Sequence, residues 1–124
     1  MSKKILIDAM FTQFSSFLEE LKQMYPEDTD FPVFLTTFSL LKSTNPMMVV
    51  NFVNSEIIVP YGTKIANRDE SFFLNEDFSQ RPDVDVDVMY KVKQYVKGMS
   101  PSSKEMVWKY VEIITQICSK INSI

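Results

Sequence analysis

The apolar positions of this chain recur mainly at three- and four-residue steps, the period that gathers side chains onto one side of an α-helix. The longest such run is Ser102–Ile121, where Val107, Tyr110, Val111, Ile114, Ile117, Cys118 and Ile121 form one stripe and Met106 and Ile113 widen it. An arc that broad predicts a helix wedged between several others rather than one lying on a surface. Ser102 and Glu105 stand in the S-x-x-E relation of a capping box, with Pro101 just upstream, which sets the expected start. Only Trp108 falls outside the stripe. It either broadens the core or marks a surface where a partner packs, and it is the candidate anchor of a partner interface.

A second strong run spans Ile5–Met24, with Ile7, Met10, Phe11, Phe14, Phe17, Leu18, Leu21 and Met24 on one side. Tyr25-Pro26 ends it, because the residue before proline is pushed out of the helical region. After the acidic turn Glu27–Asp30, Thr29 or Asp30 is expected to cap a helix with Pro32 in its first turn. Phe31, Phe34, Leu35, Phe38 and Leu41 supply its inner face, and Val33 and Leu40 extend its apolar character around the cylinder. Asn45-Pro46 opens a third helix with Met48, Val49, Phe52 and Val53 on one face. Pro60 forbids a regular helix across the β-branched Ile57–Val59, so a bend or a short extended piece fits there, with a helix–kink–helix through Ile65 the favoured reading. A further helix is expected over 85–99, burying Val88, Met89, Val92, Tyr95, Val96 and Met99.

Between these lies a change of composition. Residues 67–87 carry seven acids, Asp69, Glu70, Glu76, Asp77, Asp83, Asp85 and Asp87, against Arg68 and Arg81. This reads as a long acidic loop interrupted by Phe72, Phe73, Leu74 and Phe78, with Ser71–Leu74 expected as a short turn anchored to the body and Glu76–Pro82 as the mobile part. Asp83 and Asp85 are candidate charges steering a partner. The D-x-D-x-D spacing of Asp83, Asp85 and Asp87 imitates the start of a calcium loop, but Val88 and Gln94 occupy the positions that need Gly and a bidentate Glu. The expected reading is therefore all-α: one domain, 1–124, of four to six helices with an acidic loop at about 67–87, centred on the first, second and last helices.

Composition narrows the chemistry. The 124 residues include no histidine, which removes the commonest general base and metal ligand, and only two glycines, which leaves no phosphate-cradling loop. No catalytic, cofactor or metal residues are assigned. Cys118, the single cysteine, cannot close an intramolecular disulfide and sits on the buried stripe, as in a protein of a reducing compartment. The N-terminal MSKKILIDAMF lacks the features of a signal peptide, and no window is apolar enough to span a membrane, so an intracellular setting is expected. Charge is bipolar: residues 88–124 hold six lysines against Glu105 and Glu112. Lys91, Lys93 and Lys97 are the candidate phosphate contacts of a second reading, nucleic-acid association, which the two arginines and a pI near 4.9 disfavour.

The series FSSFLEEL (Phe14–Leu21), YPEDTDF (Tyr25–Phe31), LLKSTNP (Leu40–Pro46), PYGTKI (Pro60–Ile65), RDESFFLNEDFS (Arg68–Ser79) and VWKYVEIITQI (Val107–Ile117) resembles small proteins of nucleocytoplasmic large DNA viruses. The resemblance implies a viral setting, in the cytoplasm or nucleus of an infected cell or in the particle, and no catalytic residue. The function expected is a non-enzymatic protein-interaction or assembly module without a cofactor, its partner another protein or a further copy of the chain.

Overall fold

The computed structural model describes residues 2–69 and 91–123. Of these, 85% are helical, and no strand occurs among them, so the chain is all-α. Helix α1 is Lys3–Met24, α2 is Asp30–Thr44, α3 is Pro46–Val53 and α4 is Val59–Ala66; residues 91–96 form α5, and the last helix, α6, is Pro101–Asn122. The expected anchors Phe72, Phe73, Leu74 and Phe78, the aspartates Asp83, Asp85 and Asp87, and Val88 and Met89 lie outside the described residues.

Helix α1 is the axis of the molecule, packed along α6 on one side and α2 on another, while α6 also meets α3, α4 and the segment between them. Leu6, Met10, Phe11, Phe17, Leu18 and Leu21 of α1 join Val107, Trp108, Ile114, Cys118 and Ile121 of α6 in a core completed by Phe31, Phe34, Phe38, Val49, Val50, Val53 and Ile65. Each large apolar side chain withdrawn from water in this way contributes roughly 1.5–3 kcal/mol. Met24, Met48 and Ile113, expected on inner faces, are instead partly exposed, at 36%, 47% and 39%.

The helix boundaries follow local chemistry, and two differ from expectation. Helix α6 begins earlier than the Ser102–Glu105 pair implies. Ser100 is the N-cap, its hydroxyl accepting from the Ser103 N–H at 3.3 Å, and Pro101 takes the first helical position, where its missing donor is harmless. Glu105 is thereby released for a tertiary role. At α2 neither Thr29 nor Asp30 provides the side-chain cap: Asp28 does, its Oδ1 accepting from the Asp30 N–H at 2.9 Å.

The expected kink at Pro60 takes the form of a π-helical segment, Asn54–Ile58, joining α3 to α4 without a break in helical backbone. Proline inside a regular α-helix would press its ring on the carbonyl four residues back, here that of Glu56, and the wider π turn relieves that clash. Helix α4 ends with Asp69 N–H donating to Lys64 O at 2.8 Å and Arg68 N–H to Ile65 O at 3.1 Å, the paired bonds of a Schellman cap. That cap needs a left-handed residue, usually glycine; here it is Arg68, at φ 50°.

Candidate protein-docking face

Helix α2 has two unlike sides. Inward, Phe31, Phe34 and Phe38 are buried and locked by rings: Phe38 stacks on Phe14 of α1 at 5.0 Å between centroids, Phe31 meets Phe34 edge-on at 6.1 Å, and Tyr25 and Tyr95 lie 6.4 and 5.9 Å from Phe31. Outward, the exposed positions Pro32, Val33, Thr36, Ser39 and Leu40 carry no charge; the exposed Asp30 and Lys42 stand before and after them, and Ser43 and Thr44 end the helix. Val33 is 59% exposed and Leu40 61%, two turns apart on the same side of the cylinder.

The hydroxyls on this face are spent internally. Thr36 donates to Pro32 O at 3.1 Å, Thr37 to Val33 O at 2.9 Å, Ser43 to Leu40 O at 3.0 Å and Thr44 to Leu40 O at 2.8 Å. Serine and threonine in helices commonly bond back to the preceding turn in this way. Here the result is a face on which four of the hydroxyls, those of Thr36, Thr37, Ser43 and Thr44, are already paired, so covering it strands none of these. Leu35, Thr36, Ser39, Leu40 and Ser43 line a shallow depression along one edge of the same face.

Two ionic clusters fix the surrounding frame. At the N-terminal end of α2, Lys91 of α5 donates to Asp28 at 2.8 Å and pairs with Asp30 at 2.6 Å, while the Tyr95 hydroxyl donates to the same Asp28 oxygen. Burial alone would raise the Asp28 pKa, but the hydrogen bonds from Lys91, Tyr95 and the Asp30 N–H, with the charge of Lys91, outweigh it and hold the carboxyl at about 2. The bonds to Asp28 and Asp30 likewise raise Lys91 above the ordinary lysine range. Tyr25 stacks on Tyr95 at 3.8 Å and closes the cluster. On the other side of the molecule the Arg68 guanidinium forks between Glu105 and Glu112, two turns apart on α6, the latter at 2.8 Å. The forked geometry suits arginine's planar donors and ties the end of α4 to α6.

The residues singled out from sequence fall elsewhere. Trp108 is 5% exposed and belongs to the core, so it presents no anchor to a partner. The physical reason is that α6 is covered from two directions, by α1 and by α3 and α4, so its buried arc is wider than its stripe. Asp83 and Asp85 lie outside the described residues. Lys91, Lys93 and Lys97 do not share an outward face: Lys91 is engaged by Asp28 and Asp30, Lys93 is buried with its ammonium 5.3 Å from the Tyr61 ring centroid, and Lys97 is exposed. A phosphate backbone approaching α5 would thus meet one of the three. Cys118 is buried with its Sγ 3.1 Å from Met10 Sδ, and burial pushes its thiol up to about 12, the condition of an unreactive packing residue. Among the described residues no three His, Cys, Asp or Glu side chains come together to hold a metal ion, and no helix is long and apolar enough to cross a membrane.

Sequence reading missed the α2 face because Val33 and Leu40 look like additional core residues on a helix wheel. The available signal was the run from Phe31 to Leu41, eleven residues without a charge, half of it on the side opposite the phenylalanines. No family model, curated protein or solved structure matches the chain.

Proposed function

We propose that this protein is a non-enzymatic interaction or assembly module that docks through the outward face of α2. The observation that supports the reading is the exposure of Val33 and Leu40 on a firmly packed helix whose outer side carries no charge between Asp30 and Lys42 and most of whose outward hydroxyls are bonded internally. A solvated helix face normally carries Lys, Glu or Arg, as α1 does with Lys3, Lys4, Glu20 and Lys22. An apolar, pre-organised surface lowers the entropy lost on binding, because its side chains and backbone are already ordered by the aromatic packing behind them. The resemblance to small proteins of large DNA viruses gives this reading its setting, an infected cell or a virus particle, and no cofactor enters it.

The test is a photo-reactive phenylalanine analogue placed at Leu40 and, separately, at Lys109 on the outward side of α6. Illumination of the purified protein at high concentration and of cell extracts containing it should yield adducts from position 40 and few from position 109. Equal yields from both positions, or none from position 40 in either setting, would refute docking through α2.

A further inference from the structure

The α2 face has an internal symmetry that points to its occupant. Reading outward from the midpoint between Thr36 and Thr37, the exposed side meets a small hydroxyl residue in each direction, then Val33 one way and Leu40 the other, then Asp30 and Ser43. A surface of that kind is self-complementary under a two-fold axis through its centre, the condition for an isologous contact in which each position meets its mirror position on the other copy. In an antiparallel pair of α2 helices Val33 would oppose Leu40 of the second copy at both ends. The threonines would face each other at the crossing, where small side chains let helices approach closely.

Charge favours the same occupant. The chain carries a net charge of −3, so contact between two copies is least opposed where neither presents charge at close range. Between Asp30 and Lys42 the outer side of α2 presents none, whereas the outward sides of α1 and α6 carry several. Antiparallel pairing also sets the two helix dipoles against each other in the attractive sense. We infer that the partner of this face is a second copy of the chain, held in an antiparallel α2–α2 dimer in which Val33 packs against Leu40 of the other copy. This rests on the docking reading above and sharpens it. A helix of 15 residues offers a strip about 22 Å long and about 10 Å wide, on the order of 220 Å², well below the roughly 800 Å² per partner of a standard interface. The dimer is therefore weak, with dissociation in the micromolar range or above.

Sedimentation equilibrium from low micromolar to near-millimolar concentration tests this directly. The parent should show a reversible monomer–dimer equilibrium. Leu40→Lys should weaken it at least tenfold, while circular dichroism and the melting temperature stay at the parent's. Mixing Leu40→Lys with Val33→Glu should restore a one-to-one dimer, because those positions face each other, whereas mixing Leu40→Lys with Leu40→Glu should restore little. That pairing preference reads the register and does not depend on either variant alone. A dimer that survives Leu40→Lys unchanged would overturn the proposed contact, and equal rescue by both mixtures would overturn its antiparallel register. If the parent stays monomeric throughout while the cross-linker at position 40 captures a different protein, self-association falls and docking through α2 stands. If it stays monomeric and position 40 captures nothing, both fall.

Discussion

The outward sides of α2 and α6 show how two amphipathic helices in one small protein can be finished differently. Helix α6 exposes Lys109, Gln116, Ser119 and Lys120 to water, and its two glutamates, Glu105 and Glu112, are held by Arg68. Helix α2 exposes Val33 and Leu40 among internally bonded hydroxyls. Both are equally secure on their inner sides, one through Val107, Trp108, Ile114 and Cys118, the other through three phenylalanines. The difference is therefore not in how well each helix is anchored. It lies in what each outward side presents to water: α6 mainly charged and polar groups beside Ile113, α2 the apolar Val33 and Leu40, which on the reading proposed above a partner covers.

The contrast breaks most visibly at the core. Trp108→Ala should destabilise the fold by about 3–5 kcal/mol, the usual cost of truncating a buried large aromatic, whereas Leu40→Ala should stay within roughly 0.5 kcal/mol of the parent in urea or thermal unfolding of dilute protein. A Trp108→Ala protein that melts like the parent would show that α6 is not covered from two directions. A large loss from Leu40→Ala would mean that the α2 face packs within its own chain.

Next in size is the acid latch at the start of α2. A carboxyl held at about 2 when folded, below its ordinary value, adds stability that is fully present above the unfolded value and is lost as pH falls towards 2. Unfolding free energy should thus decline between about pH 4 and pH 2. Asp28→Asn should remove about 1–3 kcal/mol near neutrality, as loss of hydrogen bonds to a charged group does, and flatten that part of the acid profile. An unchanged profile would mean that Lys91 and Tyr95 do not hold the Asp28 carboxylate in solution.

A smaller effect separates backbone from side chain at Arg68. Arg68→Ala should lower the melting temperature more than Arg68→Gly, since both lose the fork to Glu105 and Glu112 but only glycine adopts a φ of 50° without a steric penalty. Identical melting of the two variants would argue that the left-handed cap is not retained in solution. Raising the salt concentration should narrow the gap between parent and both variants, because the ion pairs are partly exposed and screened.

The helices themselves were legible because the apolar period of α1, α2 and α6 survives in the sequence without help from distant contacts. Details that depend on neighbours were not. Trp108 lies beyond the edge of its stripe on a wheel, and only the presence of helices on two sides of α6 makes that edge buried. Val33 and Leu40 present the reverse case: a wheel marks them as more core, yet no helix among the described residues covers them. Apolar pattern says that a residue seeks cover, and it does not say whether the cover comes from the same chain. Arg68 looked like a minority charge in an acidic stretch, since its partners lie 37 and 44 residues away. The α6 start was misplaced because two serine caps, Ser100 and Ser102, compete within three residues, and the position of Pro101 decides between them.

The lysine candidates are separated in space for a related reason. Lys91 and Lys93 lie two residues apart, so on a helix they point about 200° from each other, and only a neighbour such as Asp28 or Tyr61 settles what each meets. A row of charges in sequence is not a row in space.

The central question is whether the uncovered side of α2 is where this protein meets its like. Methyl-labelled protein observed by NMR from dilute to near-millimolar concentration answers that residue by residue. The account predicts progressive, saturating shifts of the Val33 and Leu40 methyls while those of Ile113, also partly exposed but on α6, remain still. Shifts at Ile113 with none at Val33 and Leu40, or no concentration dependence anywhere, would contradict it.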